Sequence, residues 1–484
     1  MKGPENDPDV GDPSFAEFRA TAHRLADWIA RYLEHPETYP VLPPLEPGAT
    51  AARLDTSPPA RGEPLARILD DFETRILPGI THWNHPGFLA YFANTAPAAG
   101  VLAEFLIAAL NVNGMLWRTS PAATELEQRA TDWLRQLLGL SDGWFGMVND
   151  LASTSTLLAL AAAREADPAL DVRRKGLAGR DLPALRVYAS EHAHSSVDKA
   201  LMTLGLGLDN LVHVPADADF RMRPDVLAAA VAADRAAGRR PIAVVATVGT
   251  TSTTSVDPVP AIAELCAREQ LWLHVDGAYA GVCGAVSELK HHLDGVDRAD
   301  SFVVNAHKWL FTPMDCSVFY TRRPEVLTRA FSLVPAYLET AERGEVVNYM
   351  DYGFQMGRRF RALKLWMVLR AFGADGIATR IRHHCALAAR FAEWVGSEPG
   401  WEVVAPHPFS TVCFRHAPGG ATGPETNAHN ARILDRVNRS GEIFISHTML
   451  GSRYVLRVAI GNLRTGESTL ARAWELLRAS SANT

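Results

Sequence analysis

Cysteine is scarce in this 484-residue chain: there are five copies, Cys266, Cys283, Cys316, Cys385 and Cys413, with no C-x-x-C pair among them. A disulfide framework or a structural zinc site is therefore not expected to hold the fold. No charge sign dominates. Lys plus Arg number 48 against 54 Asp plus Glu, a formal net charge of −6, so no nucleic-acid or anionic-membrane partner is expected. Long apolar runs are also missing. The most apolar window, 96–117, is broken by Glu104 and by asparagine and glycine positions, and it reads as a buried helix and turn rather than a membrane span. The opening residues, MKGPENDPDV, lack the apolar stretch of a secretory signal, and a cytoplasmic, reducing compartment is expected. No internal repeat recurs at a fixed period. What remains is ordinary globular composition, 47% hydrophobic and 21% charged, over a length that suits two or three folded units.

Along the chain, Phe18, Leu25, Ile29 and Leu33 recur at helical spacing, which predicts an amphipathic helix over 15–33. The proline-rich stretch 38–64 reads as an extended connector lying on something else, followed by a short helix over 64–77. From about residue 98 the texture changes. Strand-length apolar runs at 186–190, 242–248, 271–275, 301–305 and 317–320 alternate with helical windows at 122–138, 154–164, 195–204, 224–237 and 258–269. Such alternation predicts an α/β fold with a mainly parallel, doubly wound sheet. After Gly373 helices return, with a terminal strand over 454–459 and a helix over 468–479, as in a smaller α+β domain. The expected division is an N-terminal helical arm and dimerisation segment (1–97), a large domain (98–372) and a small C-terminal domain (373–484).

Two buried strands are followed by residues of opposite charge. Asp276 closes LWLHVD, and Lys308 follows SFVVNAH, thirty-two positions on. In an open α/β sheet the carboxyl ends of the strands face one crevice, so an acid and an amine placed there can meet one ligand. Pyridoxal phosphate (PLP) needs that pair: a lysine to bond its aldehyde, and an acid to keep its ring nitrogen protonated. Spacing alone leaves the alternative of a helix-capping aspartate and a surface lysine equally open.

The neighbouring residues go further. HVDGAYAG and NAHKWL, with THWNHPGFLAYF, LWRTSPAATELE, YASEHAHSS, VATVGTTSTTSVDP, GRRFRALKLW and YVLRVAIGNLRT, resemble the PLP-dependent group II amino-acid decarboxylases over nearly the whole chain. The aromatic-L-amino-acid decarboxylases are the most similar branch. The resemblance implies a fold-type I transferase architecture, a homodimer with a shared active site, and PLP as cofactor. It makes Lys308 the cofactor-bonding lysine and Asp276 the partner of the ring nitrogen. By the same likeness His194 stacks on the ring and approaches the substrate carboxylate, Ala278 packs on the opposite face, and Thr251 lies on the hydroxyl side. Ala152 and Ser153, opening a helix, would seat the phosphate together with Asn305 and His307. Here the chain departs from the family's glycine-rich turn: it reads Asn149, Asp150, Leu151, and an acid near a phosphate is unfavourable unless it points away.

For the reaction, the resemblance places Tyr337 on a mobile loop, 334–350, where decarboxylating members carry a tyrosine that returns a proton. Relatives with phenylalanine there form aldehydes. A phenol can donate a proton and a phenyl ring cannot. The family's side-chain pocket maps onto Trp83, Tyr91, Phe92, Asn113, Met115 and Gly357. These are mostly flat or apolar, with no arginine among them, which favours an aromatic substrate over an acidic one. Glycine at 357 leaves room for an indole, so tryptophan leads, with tyrosine, phenylalanine or hydroxylated analogues behind it. An aldehyde synthase on the same scaffold and a non-catalytic decarboxylase-like dimer stay open as alternatives.

Overall fold

The structure is a computed structural model that describes residues 12–333, 338, 341, 342 and 344–482. Seven strands form the larger sheet: β1 (Phe145–Asn149), β2 (Leu185–Ser190), β3 (Leu211–Val214), β4 (Arg240–Thr247), β5 (Trp272–Asp276), β6 (Ser301–Val304) and β7 (Ser317–Thr321). Their spatial order is β1-β7-β6-β5-β4-β2-β3. The pairings from β3 through β6 are parallel, and β7 runs antiparallel to both β6 and β1. This is the expected α/β architecture.

Side-chain alternation explains why the central strands read as continuous apolar runs. Val244, Leu273, Val275 and Phe302 pack into one core, while Ala243, Val245, Trp272 and Val303 pack into a second on the other face of the sheet. Both faces are covered by helices, so neither phase of the period-2 pattern is left for polar residues. The helices carry their own stop signals. In Pro121–Leu138 the Ser120 hydroxyl accepts the Ala123 N–H at 3.3 Å, proline stands in the first turn, and Gly139 ends the helix with φ 70°.

A second, four-stranded antiparallel sheet follows in the order β10-β11-β9-β8, built from β8 (Trp401–Val403), β9 (Thr411–His416), β10 (Ser446–Leu450) and β11 (Arg453–Ala459). Phe391, Phe414, Trp474 and Leu470 fill its own core. The long helix Ala362–Ser397 joins the two units and leaves helical geometry at Gly373 (φ 63°, ψ 172°).

Several expectations change. β1, β3, β8, β9 and β10 were not foreseen. β1 carries a glycine, β3, β8 and β10 carry exposed polar residues, and the buried β9 includes Arg415 and His416, so none shows a clean strand pattern and all gain strand geometry by pairing with neighbours. The window 96–117 does contain a helix, Ala98–Leu110, but it is buried on one face only, through Gly100, Ala103 and Ile107. Leu102, Phe105, Leu106 and Leu110 face outward, at 59%, 41%, 47% and 61% exposure. The N-terminal helix Phe15–Glu34 forms as expected and buries none of its residues. It is tied by Glu17, which accepts the Leu65 N–H at 2.7 Å, and by the Tyr32 hydroxyl against His82 at 3.0 Å.

Candidate functional site

β5 and β6 lie side by side and parallel, so their carboxyl ends open toward the same space. Asp276 is the last residue of β5, and Lys308 stands four residues beyond β6. Both line one cavity of about 460 Å³. One Asp276 oxygen accepts the Ala278 N–H at 2.9 Å, and the Ala278 carbonyl accepts the Asn305 N–H at 3.1 Å. The strand end carrying the acid is thus pinned to the loop carrying the amine. Burial pushes the Lys308 ammonium below its ordinary range, opposed by the Asp276 charge and reinforced by Arg457.

His194 lies in the turn after β2. Its Nδ1 accepts the Ser196 N–H at 3.1 Å, which leaves Nε2 to carry the proton of the neutral ring. The ring is open to the cavity, yet surrounding protein still lowers its pKa, chiefly by desolvation, with Asp276 opposing. Thr251 and Ala278 also line the cavity. Beside Thr251, Gly249 has φ +88°, and a Cβ there would stand 2.6 Å from the Ala280 methyl, so only glycine fits this turn.

The helix Ala152–Glu165 opens onto the same space, with Leu151, Ala152 and Ser153 in the wall. No side chain caps this helix and no acid stands in its first turn, so its free N–H groups are available to an anion. Asp150 turns away: its carboxylate accepts the Leu151 N–H at 2.8 Å and the Gln355 amide at 3.4 Å. Asn305 and His307 line the same cavity. The His307 Nδ1 is taken up by the Cys316 backbone at 2.9–3.0 Å, and burial lowers its pKa to about 4, so the ring is a neutral donor.

The donor set fits PLP. Around the cavity the buried Thr247 Oγ1 and Asn305 Oδ1 have no hydrogen-bond partner among the described residues. Buried polar atoms in that condition cost stability unless a ligand meets them. An amine, an acid, an uncapped helix end and orphaned polar atoms are what a phosphorylated heterocyclic aldehyde would satisfy.

Of the six expected pocket residues, Trp83, Tyr91 and Phe92 line this cavity. The Lys308 ammonium lies 5.1 Å from the Phe92 ring centroid. Asn113, Met115 and Gly357 do not line it, which corrects the grouping for a single chain. Asn113 accepts the Arg358 N–H at 3.0 Å, its amide lies 3.5 Å from the Met115 sulfur, and it is the nearest neighbour of Gly357. A buried ion pair, Arg358 to Glu127 at 2.6 Å, anchors that group to β1 through the Val148 N–H and carbonyl. Tyr337 lies outside the described residues, as do six other positions of the 334–350 segment.

Sequence reasoning missed Ser446, His447 and Thr448 of β10 and Arg457 of β11, all in the cavity wall. The expected absence of arginine holds for the six pocket positions and fails for the cavity. One signal was legible: Arg457 is the sole charged residue inside the apolar run YVLRVAI.

Comparison with known proteins gives matching results. Residues 47–417 match the pyridoxal-dependent decarboxylase conserved domain. Tyrosine decarboxylase 4 of Petroselinum crispum is 40% identical over 476 residues, covering 96% of this chain and 92% of that protein. Phenylacetaldehyde synthase of Arabidopsis thaliana is 39% identical over 472 residues, covering 96% and 95%. The crystal structure of Oryza sativa TDC with PLP and tryptamine superposes with a TM-score of 0.93 at 37% identity, covering 98% of this chain and 99% of that one.

Proposed function

The chain belongs to the pyridoxal-dependent decarboxylase family and is a PLP-dependent carboxy-lyase of the aromatic-amino-acid type, and from that premise we propose that it converts an aromatic L-amino acid, tryptophan foremost, to its arylalkylamine and carbon dioxide. The observation that carries this reading is the single cavity holding Lys308 and Asp276 beside Trp83, Tyr91 and Phe92.

PLP supplies an electron sink for the bonds at the substrate α-carbon. Lys308 would bond the cofactor aldehyde, and burial favours the neutral, nucleophilic amine this requires. Asp276 would pair with the ring nitrogen and keep it protonated. Ala278 and His194 would flank the ring, the His194 Nε2–H being free to donate. Ala152, Ser153, Asn305 and His307 would hold the phosphate, with Thr251 on the hydroxyl side. Selection of one bond depends on how these walls orient the substrate. Tyr337 returns the proton to the α-carbon.

The aldehyde-synthase reading has one specific support, the likeness to phenylacetaldehyde synthase. Tyr337 favours the amine, because the phenol provides the proton that non-oxidative turnover requires. The test is a panel of aromatic L-amino acids, with carbon dioxide, amine and hydrogen peroxide measured together. Amine and carbon dioxide in equal amounts, fastest for tryptophan, are expected. Abundant peroxide with aldehyde would overturn the choice.

The working unit is a homodimer. Outward-facing Leu102, Phe105, Leu106 and Leu110, with Phe354 and Met356 at 54% and 44% exposure, support an interface near Asn113, Met115 and Gly357. Those three then complete the partner's cavity. Sedimentation that found an active monomer would remove this part of the reading.

A further inference from the structure

Three aromatic rings stand in a row at the cavity wall. Tyr279, three residues beyond Asp276, stacks on Phe92 with centroids 3.9 Å apart and planes at 18°, and on Trp309 at 5.0 Å and 12°. Two of the three rings are pinned by hydrogen bonds. The Trp309 indole N–H donates to Nδ1 of His384, on the helix that joins the two units, at 3.0 Å. The Ser410 hydroxyl donates to the Ile460 carbonyl at 2.5 Å. It then has no second proton to give, so the Tyr279 hydroxyl, also 2.5 Å away, is the donor to the Ser410 Oγ. Phe92 has no polar handle of its own. Packing alone sets its place, and Tyr279 is the ring stacked on it among the described residues.

The other side of Phe92 meets charge. The Lys308 ammonium lies 5.1 Å from the ring centroid, and Cζ of Arg457 lies 4.6 Å from it. A ring stacked at 3.9 Å leaves no room for a cation on the same face, so both cations meet the opposite one. An aromatic face carries partial negative charge and attracts them. The other groups around Lys308 divide. Asp276 favours the ammonium and Arg457 opposes it, while burial holds His194 and His307 neutral.

We propose that Tyr279 is a positioning residue for Lys308: it holds the Phe92 ring where its face receives the lysine ammonium. This matters between the covalent steps. Once a substrate amine has replaced it on the cofactor, the freed lysine is an amine that takes up a proton in a buried wall already holding the fixed charge of Arg457. The ring face offsets part of that cost, and such a contact is worth more in a dry site than at a surface.

The inference rests on Lys308 as the cofactor-bonding lysine, and its experiment is read without turnover. Acetylation of Lys308 by acetic anhydride is followed against pH by mass spectrometry in the full-length protein freed of cofactor. A ring-fluorinated phenylalanine placed at position 92 withdraws charge from the face and barely alters shape. The acetylation midpoint should fall by about half a pH unit or more, roughly a threefold change in the amine–ammonium balance, the scale of a ring–cation contact. Tyr279→Leu should lower the midpoint by a similar amount. Combined with the fluorinated ring it should lower it little further, because both changes act through one ring. Tyr279→Phe keeps the stack and should stay within about 0.2 pH units of the wild type, well inside the shift expected of a lost contact. An unmoved midpoint on fluorination would overturn the inference, and that protein keeps its native packing. Additive shifts would place the effect of Tyr279 outside the Phe92 ring, and a fall in Tyr279→Phe as large as in Tyr279→Leu would place it on the hydroxyl; either overturns it. Borohydride reduction of the PLP-loaded wild type tests the premise separately: a label on a lysine other than 308 would remove the cofactor assignment, whatever the midpoints.

Discussion

The strand ends of the large sheet and the middle of β11 deliver charge to the same cavity in different ways. Asp276 and Lys308 come from adjacent parallel strands, so topology alone brings them to one crevice. Asp276 also eases the burial of Lys308, because an opposite charge nearby offsets part of the desolvation penalty. Arg457 has neither advantage. It enters from the side, out of an antiparallel sheet, and no described carboxylate faces it. The amine at the strand ends has an acid near enough to temper its burial, whereas the mid-strand charge has only backbone carbonyls and an aromatic face around it.

The largest effect should come from Lys308→Ala, which removes the covalent handle. Turnover is expected to vanish, and product assays on PLP-supplemented protein check it; unchanged turnover would refute the assignment. Asp276→Asn keeps the shape and deletes the charge. Stabilisation of developing charge is worth about 100- to 1,000-fold in rate when one such group is lost, and kcat should fall on that scale. Together these break the strand-end pair from each side. Both should lower kcat. An Asp276→Asn enzyme with normal kcat and a raised KM would refute that role for the acid.

Tyr337→Phe probes a third contributor, outside both strand systems. The variant should keep PLP, lose amine output by roughly 100-fold or more as for other lost acid–base groups, and shift its product toward aldehyde. Simultaneous amine and peroxide measurement decides it. Unchanged amine output would mean that another group donates the proton.

Legibility in the sequence followed the same division. The central strands announced themselves because burial on both faces forces unbroken apolar runs, so the parallel sheet was readable. The motifs around Asp276 and Lys308 then pointed to one cavity. β1 and β10 were not readable, since FGMVN and SHTML have no clear strand period and depend on their neighbours for pairing. Arg457 was visible as a charge in an apolar run, but its destination depends on how the small sheet docks, which local pattern does not encode. Asn113, Met115 and Gly357 were grouped with the cavity by motif, and the Glu127–Arg358 pair holds them elsewhere on the chain.

Acid sharpens the comparison with the smallest effect. His274, at the heart of β5, and His307, in the lysine loop, are buried, and desolvation lowers each pKa to about 4. His384 on the joining helix accepts the Trp309 indole N–H at 3.0 Å and is pushed down to about 3. In the small domain, His416 and His429 lie 2.7 Å apart but are partly solvated, and their lowering is less extreme. The sign follows from proton uptake. Below the ordinary imidazole pKa of about 6.5, the unfolded chain gains protons that the folded large domain refuses. Stability is therefore fully present above that value and is lost as pH falls toward 4. Hydrogen exchange followed by mass spectrometry across this range should show the β5–β6 core losing protection before the β9–β11 sheet. His384→Phe should flatten part of the pH dependence, shifting the thermal midpoint by a degree or two at most, since the scale is about 1 °C per kcal/mol for a chain this large. Simultaneous loss of protection in both sheets would show that the two units share one acid response, and would rule out an acid-sensitive large domain beside an indifferent small one.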